Sequence, residues 1–186
     1  MRKLSFLVLA TVIPLAACSD ETGPDNWSAA PDTATIFSLE EPAFQGLPGA
    51  FDFYTLRPRV VEQPSATGQW DVALTGLGDT LFITPAGAFP EISSSAGVAV
   101  IEAESLEEVR RAPRGDGFIT DRSVPLRTDR VYVVRSRVVP VGLGLTCVRY
   151  AKFRPVELDE EAGTLRFEYA RNPNCFDRDL IPPNDD

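Results

Sequence analysis

The sequence predicts an all-β fold, a single antiparallel β-sandwich or meander domain that carries one short helix. Short segments alternate apolar and polar residues, which is the period of a half-buried strand. Turn residues separate these segments, and 16 prolines and 13 glycines suit many turns better than long helices. A helix start signal followed by helical spacing occurs at Ser105. Together these features favour a sheet with one helical decoration.

The first 17 residues are expected to be absent from the folded domain. Arg2 and Lys3 precede an apolar run that ends at Pro14, shorter than the roughly 20 residues needed to span a bilayer. The following Leu-Ala-Ala-Cys18 resembles the lipobox of bacterial lipoproteins, whose cysteine becomes the lipidated first residue. A plain signal peptide followed by a chance cysteine is the alternative. The resemblance implies export, cleavage before Cys18 and an outer-membrane lipoprotein, on either the periplasmic or the exposed side.

The mature chain is acidic. Loss of Arg2 and Lys3 lowers the basic residues from 18 to 16 against 27 acidic ones, a net charge of −11. Such a charge repels nucleic acid and anionic lipid headgroups, so we expect neither DNA nor RNA nor peripheral lipid binding. Beyond Cys18, two cysteines remain, an even number that suits a disulfide in an oxidising compartment.

Residues 19–33 are expected to form a tether, because they hold Gly23, Pro24, Pro31 and four acidic residues around a lone Trp27. A flexible stretch of this length reaches about 20 Å. The predicted organisation is therefore a signal (1–17), a lipidated disordered tether (18–33), a β-domain (34–178) and a flexible acidic tail (179–186).

Nine segments of the domain have strand character. They are Ala34–Leu39, Phe51–Leu56, Gln69–Thr75, Thr80–Thr84, Gly97–Glu102, Gly117–Thr120, Arg130–Val139, Cys147–Val156 and Thr164–Ala170. The helix is predicted between the capping box Ser105-Leu-Glu-Glu108 and Pro113. Tyr132, Val134, Val148 and Tyr150 are assigned to one face of the sheet and Ala151 and Phe153 to the other. Apolar residues on both faces predict a strand that is covered on both sides.

The last two strands predict a hairpin with a defined register. If the numbers of paired residues sum to 322, Phe153 faces Tyr169 and Arg154 faces Glu168, and Cys147 faces Cys175. Ladders favour aromatic pairs and opposite charges. We therefore predict a disulfide between these cysteines; a thiol site is the alternative.

The chain contains no histidine, which removes Ser-His-Asp and Cys-His systems and His-containing zinc sites. The Gly76/Gly78 and Gly142/Gly144 pairs lack the helix and further glycine of a phosphate-binding loop. Acidic clusters admit a weak calcium site as the alternative to solvated turns: Asp159-Glu160-Glu161, Asp177 with Asp179, and Asn184-Asp-Asp186. Two carboxylate pairs, Asp116 with Asp121 and Glu102 with Glu104, could be posed for glycosidase chemistry, but exposed strand-end charges explain them equally well. We therefore expect no enzyme, with a secreted hydrolase as the minor alternative.

Five motifs, in order, resemble the HmuY-like family of bacterial lipoproteins. They are Trp70-Asp-Val-Ala-Leu after Phe51-Asp-Phe-Tyr-Thr-Leu, Gly97–Ser105 followed by the segment up to Pro113, Val131-Tyr-Val-Val-Arg-Ser, Tyr150-Ala-Lys-Phe, and Leu165-Arg-Phe-Glu-Tyr. The resemblance covers roughly residues 50 to 171. It implies an all-β domain that captures haem for an outer-membrane transporter.

The chain departs from that family at the ligands. The resemblance implies axial histidine or methionine, yet the chain has no histidine and its single methionine, Met1, lies in the signal. Tyrosine and cysteine thiolate are the remaining protein ligands for haem iron. The candidate tyrosines all lie in predicted strands, where core packing is the alternative role: Tyr54, Tyr132, Tyr150 and Tyr169.

Two hypotheses remain open. One is an outer-membrane lipoprotein that binds haem or a related tetrapyrrole without His or Met ligation. The other is a structural or interaction lipoprotein that keeps only the scaffold and docks to a transporter or another envelope protein. A deep apolar pocket lined by Tyr or Arg favours the first hypothesis, and a filled sandwich favours the second.

Overall fold

The structure, a computed structural model, describes Trp27 and residues 30–183. The signal peptide, Cys18 and most of the tether lie outside the described residues, so these assignments remain predictions. Within the described residues the fold is all-β and antiparallel, which confirms the predicted class. No helix in this part of the chain is long and apolar enough to cross a membrane.

Two five-stranded sheets and a separate two-stranded hairpin make up the fold. The first sheet has the order β1-β12-β11-β8-β6, with β1 Asp32–Phe37, β6 Gly97–Ile101, β8 Val131–Arg135, β11 Tyr150–Asp159 and β12 Thr164–Arg171. The second has the order β3-β2-β4-β5-β7, with β2 Ala50–Asp52, β3 Arg57–Arg59, β4 Val72–Leu77, β5 Thr80–Pro85 and β7 Val124–Pro125. The hairpin pairs β9 Val139–Gly142 with β10 Leu145–Cys147. Four short 3-10 turns lie at Pro42–Phe44, Pro64–Ala66, Ala86–Ala88 and Gly115–Gly117.

The main core lies between the two five-stranded sheets and is aromatic. Its large side chains are almost fully buried: Phe51, Phe53, Tyr132, Phe153, Phe167 and Tyr169, with Ile36, Leu74, Ile83 and Leu165 around them. Complete burial of one such side chain is worth about 1.5–3 kcal/mol, so this layer dominates the stability of the fold.

A second apolar cluster covers the outer face of β8 and β11. Val131 and Val133 pack there against Leu106, Val109 and other side chains of the segment after β6. The prediction that this sheet is covered on both faces is therefore correct.

The assignment of faces was partly wrong. Tyr132 and Val134 share the main core with Ala151 and Phe153, whereas Tyr150 packs on the outer cluster. The reason is the register of β8 with β11, which places Tyr132 directly opposite Phe153; partners in a ladder lie on the same face.

The predicted 322 register holds from the Ala151–Arg171 pair to the Pro155–Phe167 pair. Beyond Pro155 a bulge at Val156 shifts it by one residue, so that Glu157 faces Arg166. Pro155 has no amide donor, which favours such an irregularity. The ladder also begins later than predicted, because β11 starts at Tyr150 while Cys147 belongs to β10.

The predicted helix after Ser105 is not formed. Half of its capping box exists, since the Ser105 amide donates to Glu108 Oε1 at 3.0 Å. The Lys152 ammonium, however, donates to the carbonyls of Leu106 (2.7 Å) and Val109 (3.0 Å). These carbonyls are therefore bound by a side chain of the neighbouring strand, and tertiary contacts override local propensity.

Three predicted strands are shorter or absent. The Phe51–Leu56 prediction ends at Asp52, because aspartate side chains take the next amides. Gly117–Thr120 is reduced to a single bridge between Ile119 and Val98. Arg130–Val139 divides into β8 and the start of β9.

At the C-terminus, Leu180 is buried in the outer cluster and Arg111 bridges to Asp179. Packing against the domain therefore extends into the range predicted as a tail.

Candidate functional site at the arginine end of the sandwich

The sandwich has two distinct ends. At one end β1 begins, β12 and β8 stop, and the β9–β10 hairpin and the loop after β2 emerge. We call this the arginine end, because five arginines gather there: Arg57, Arg59, Arg137, Arg149 and Arg171. The opposite, acidic end holds the turns after β4 and β11.

Two buried aspartates organise the arginine end. Asp52 ends β2, and Asp71 immediately precedes β4. One Asp71 oxygen accepts the amides of Phe53 (2.7 Å) and Tyr54 (3.2 Å), and the other accepts the Arg137 amide (2.7 Å). Asp71 therefore fixes the loop after β2 and the chain after β8 at the same time.

Arg137 joins the two sheets through these aspartates. Its Nη1 lies 2.7 Å from Asp52 Oδ1 and 3.3 Å from Asp71 Oδ1. All three side chains are buried. A buried ion pair of this kind contributes little net stability when intact, but it is costly to break.

The two aspartates differ in acidity. Burial raises the pKa of Asp71 to about 6, against the opposing effect of Arg137. At Asp52 burial also acts to raise the pKa, but hydrogen bonds from Arg137, Thr55 and Arg59 outweigh it, and the pKa is lowered. Asp52 is therefore ionised at neutral pH, and Asp71 is the more readily protonated of the two.

Tyr54 lies at the rim of this network and is half-buried. The Arg149 guanidinium carbon lies 4.5 Å from its ring centroid and that of Arg137 lies 5.9 Å away, both within cation–π range. The Tyr54 carbonyl accepts hydrogen bonds from Arg149 (3.1 Å) and Arg171. The left-handed Leu56 (φ 58°) then turns the chain into β3.

The network is rich in arginine, on a chain whose overall charge is −9. Arg59 and Arg137 pair with Asp52, and Arg149 and Arg171 donate to the Tyr54 carbonyl. Planar guanidinium groups suit carboxylate and phosphate oxygens. Side chains of this type can therefore recognise anionic groups.

The predicted disulfide is present. Cys147 and Cys175 are bonded, with Cα atoms 5.0 Å apart. The bridge lies at the arginine end, where it ties the base of the β9–β10 hairpin to the chain after β12. Cys18, the predicted lipidation site, lies outside the described residues.

Three of the candidate tyrosines serve the packing. Tyr132 stacks on Phe153, and its hydroxyl donates to the Pro125 carbonyl at 2.9 Å. Tyr169 is buried, and burial together with nearby Asp32 raises its pKa to about 12. Tyr150 packs beside Phe118. Tyr54 alone among the four tyrosines lies at the rim of the arginine network.

Acidic candidates within the described residues take surface positions, and Asn184-Asp-Asp186 lies outside them. Glu102 pairs with Arg130, Asp121 with Arg122, and Asp179 with Arg111, in exposed ion pairs of 3.1–3.5 Å. Within Trp27 and residues 30–183, no group of three or more His, Cys, Asp or Glu side chains could hold a metal ion.

Clefts of the described domain lie on its surface. One of about 280 Å³ runs along residues 37–49, one of about 140 Å³ lies beside Lys152 and Trp27, and one of about 390 Å³ lies beside Arg137 and Ser93–Ser95. The interior between the sheets is filled by aromatic rings. The described residues therefore do not fit a haem buried in the sandwich.

Sequence reasoning missed the buried network. Asp52 and Asp71 stand in apolar surroundings, Phe-Asp-Phe and Trp-Asp-Val, and a lone charge in such a run indicates a buried partner. That partner, Arg137, lies 66 residues beyond Asp71, and no local pattern relates the two.

Fold and site together define an all-β sandwich with a disulfide and an arginine-rich end. No family model matches the chain, and no curated protein matches it.

Proposed function

We propose that this chain is a lipid-anchored interaction lipoprotein of the bacterial outer membrane, without catalytic activity and without a ligand inside its sandwich. The lipobox-like sequence ending at Cys18 supports the anchor. The resemblance to HmuY-like lipoproteins supports the compartment and the scaffold.

The packed interior is the observation that carries the proposal. Phe51, Phe53, Phe153, Phe167 and Tyr169 form a continuous layer between the sheets, and neighbouring ring centroids such as those of Phe51 and Phe167 lie 5.2 Å apart. A ligand at this level would have to displace whole rings from a close-packed core. Recognition is therefore assigned to the outside of the domain.

The arginine end is the part of the outside best suited to recognition. It gathers arginine side chains on an acidic protein, and buried Asp52 and Asp71 hold its loop and hairpin in place. An envelope partner, such as an outer-membrane transporter, would present carboxylates or other anionic groups to this end.

Cell fractionation tests the anchor. The wild-type chain should be recovered with outer membranes, and Cys18→Ser should be released to the soluble fraction. Cys147→Ala/Cys175→Ala is the matched control, because it removes two cysteines and keeps the lipobox. Membrane recovery of Cys18→Ser equal to that of wild type contradicts the proposal.

Haem binding at the surface is the second candidate function, and Tyr54 is the observation that favours it. Tyr54 is half-exposed next to Arg149, so a tyrosinate ligand and a guanidinium partner for a haem carboxylate lie together. Absorbance titration with haem tests it. The second candidate requires a spectrum without bis-His features that is lost in Tyr54→Phe and kept in Tyr150→Phe. An unchanged haem spectrum on addition of wild-type protein leaves the interaction lipoprotein as the better account.

A further inference from the structure

The β9–β10 hairpin exposes an unusual apolar surface. From Val138 to Leu145 the chain holds only Val, Pro, Gly and Leu. Leu143 at the tip is fully exposed (100%), and Leu145 is 63% exposed. Valines 138 and 141 are about half exposed. A continuous apolar projection of this kind marks a site of contact with another apolar phase or surface.

The hairpin is held firmly in this exposed position. Its strands pair with each other, and Cys147 at its base is fully buried and bonded to Cys175. At the tip, Gly142, Leu143 and Gly144 all have left-handed backbones, with φ of 95°, 52° and 74°. A left-handed backbone is unfavourable for leucine, and here it presents the largest apolar side chain of the turn outward.

The hairpin lies at the same end as the entry of the tether. Asp32, the first residue of β1, pairs with Tyr169, two residues before β12 ends. Ala30 and Pro173 line one surface cleft, and Cys175, two residues further on, is bonded to the hairpin. The N-terminal chain therefore reaches the domain close to the base of the hairpin.

The tether is short enough to bring this end to the membrane. Eleven residues separate Cys18 from Ala30. If the predicted tether behaves as a random coil, it spans on average about 20 Å, which places the acyl chains near the end of the domain where the tether enters.

The charged residues also distinguish the hairpin end from the opposite end of the sandwich. The arginines lie at the hairpin end, while exposed acidic residues lie at the other end: Glu40, Asp79, Asp159, Glu160 and Glu161. The two acidic turns are neighbours there, since Ser38 binds the Gly163 carbonyl and Glu40 binds the Gly76 amide. The exposed acidic residues of these turns thus lie away from the hairpin, whereas Asp32, which is also exposed, lies at the hairpin end.

We propose that the tip of the β9–β10 hairpin inserts into the phospholipid bilayer that holds the acyl chains at Cys18, as a second contact that sets the orientation of the domain. This inference rests on the proposed lipid anchor. Insertion to the boundary of headgroups and acyl chains, about 5–10 Å deep, would bury Leu143 and Leu145. The acidic end would then point away from the membrane, towards partners.

Tryptophan fluorescence in vesicles tests the insertion. Mature protein extracted from membranes is reconstituted into phosphatidylethanolamine–phosphatidylglycerol vesicles, with lipids brominated near the headgroup end of the acyl chain as quencher. The probe is Leu143→Trp in a Trp27→Phe background, in which the buried Trp70 supplies a constant signal. Leu77→Trp is the matched control, because Leu77 is an exposed leucine (79%) of a hairpin tip at the acidic end.

We expect a blue shift and strong quenching by the brominated lipid at position 143, and neither at position 77. Equal quenching at both positions, or none at position 143, overturns the inference. A blue shift at position 143 that depends on protein concentration and is insensitive to bromine indicates a protein partner or a second copy, and also overturns it.

Mass spectrometry of the protein in the same preparation distinguishes failure of the hairpin insertion from failure of the proposed lipid anchor. A lipidated Cys18 with an unquenched Trp at position 143 removes the insertion and leaves the proposed function intact. An unmodified Cys18 removes the lipid anchor, and the insertion proposal with it, before any fluorescence is read.

Discussion

Arg137→Met is expected to destabilise the domain severely. Arg137 is the buried cation between Asp52 and Asp71, with Nη1 2.7 Å and 3.3 Å from their oxygens. Methionine fills part of the volume but leaves two buried carboxylates without this partner. Removing one member of a buried pair costs about 3–5 kcal/mol, which is a large part of the total stability of a domain.

The effect should depend on pH in a defined direction. Arg137 lowers the pKa of both aspartates, so its loss raises the pKa of each in the folded state; that of Asp71, already about 6, moves further above the value of 3.8 for an unperturbed aspartate. Between that value and the raised pKa, the folded chain binds protons that the unfolded chain has released. The contribution of these groups to stability is therefore present at low pH and is lost as the pH rises. The loss in free energy of unfolding caused by Arg137→Met should accordingly be smaller at pH 5 than at pH 7.

Urea unfolding at both pH values measures this, with Arg154→Met as the matched control. Arg154 binds Glu168 at a similar distance, 2.8 Å, but this pair is about a third exposed. Exposed pairs contribute about 0.2–1 kcal/mol. Arg137→Lys, which keeps one charge, should lose less stability than Arg137→Met. Equal free energies of unfolding for Arg137→Met and Arg154→Met, or a deficit that grows as the pH falls, would refute the reasoning.

Three further predictions concern stability. Cys147→Ala/Cys175→Ala should fold but lose up to about 3–4 kcal/mol, because the bridge closes a loop across 28 positions; an unchanged melting temperature after reduction of the wild type contradicts this. Burial lowers the pKa of Lys152 to about 8, so the free energy of unfolding should rise between pH 8 and pH 10, as the buried ammonium loses its proton. This rise should be absent in Lys152→Met, and a rise of equal size in the variant argues against the role of Lys152. Gly163→Ala (φ 63°) places a Cβ 2.9 Å from Glu41 Cγ, whereas Gly68→Ala (φ 68°) meets no atom within 4 Å. Gly68→Ala should therefore lower the free energy of unfolding only by the cost of a left-handed alanine, about 1–2 kcal/mol, and Gly163→Ala should lower it by more. Equal losses for the two variants in urea unfolding would exclude a steric clash at Gly163.

Local pattern was sufficient for much of the fold. Alternation of apolar and polar residues from Phe153 to Tyr169 predicted the hairpin and its register, because only one register places the apolar side chains of both strands on the same face. It failed where distant groups decide the local conformation. The helix after Ser105 is lost because Lys152 binds its carbonyls, and the strand after Asp52 stops because Asp71 takes the amides.

The candidate site was less accessible to sequence reasoning. The disulfide was predicted by extending the 322 register to Cys147 and Cys175, and it is present, yet Cys147 pairs with Val139 in a separate hairpin and does not extend the β11 ladder. The buried arginine partner of Asp52, Arg137, lies 85 residues away, and only packing of one sheet on the other brings it there.

The mass of the mature protein, purified from the outer membrane of an expressing bacterium, tests the central claim most directly. We expect a chain that begins at Cys18 and carries a diacylglyceryl group, with Cys147 and Cys175 resistant to alkylation. Recovery of an unmodified Cys18, or of a chain that retains residues 1–17, would contradict the proposed lipid anchor.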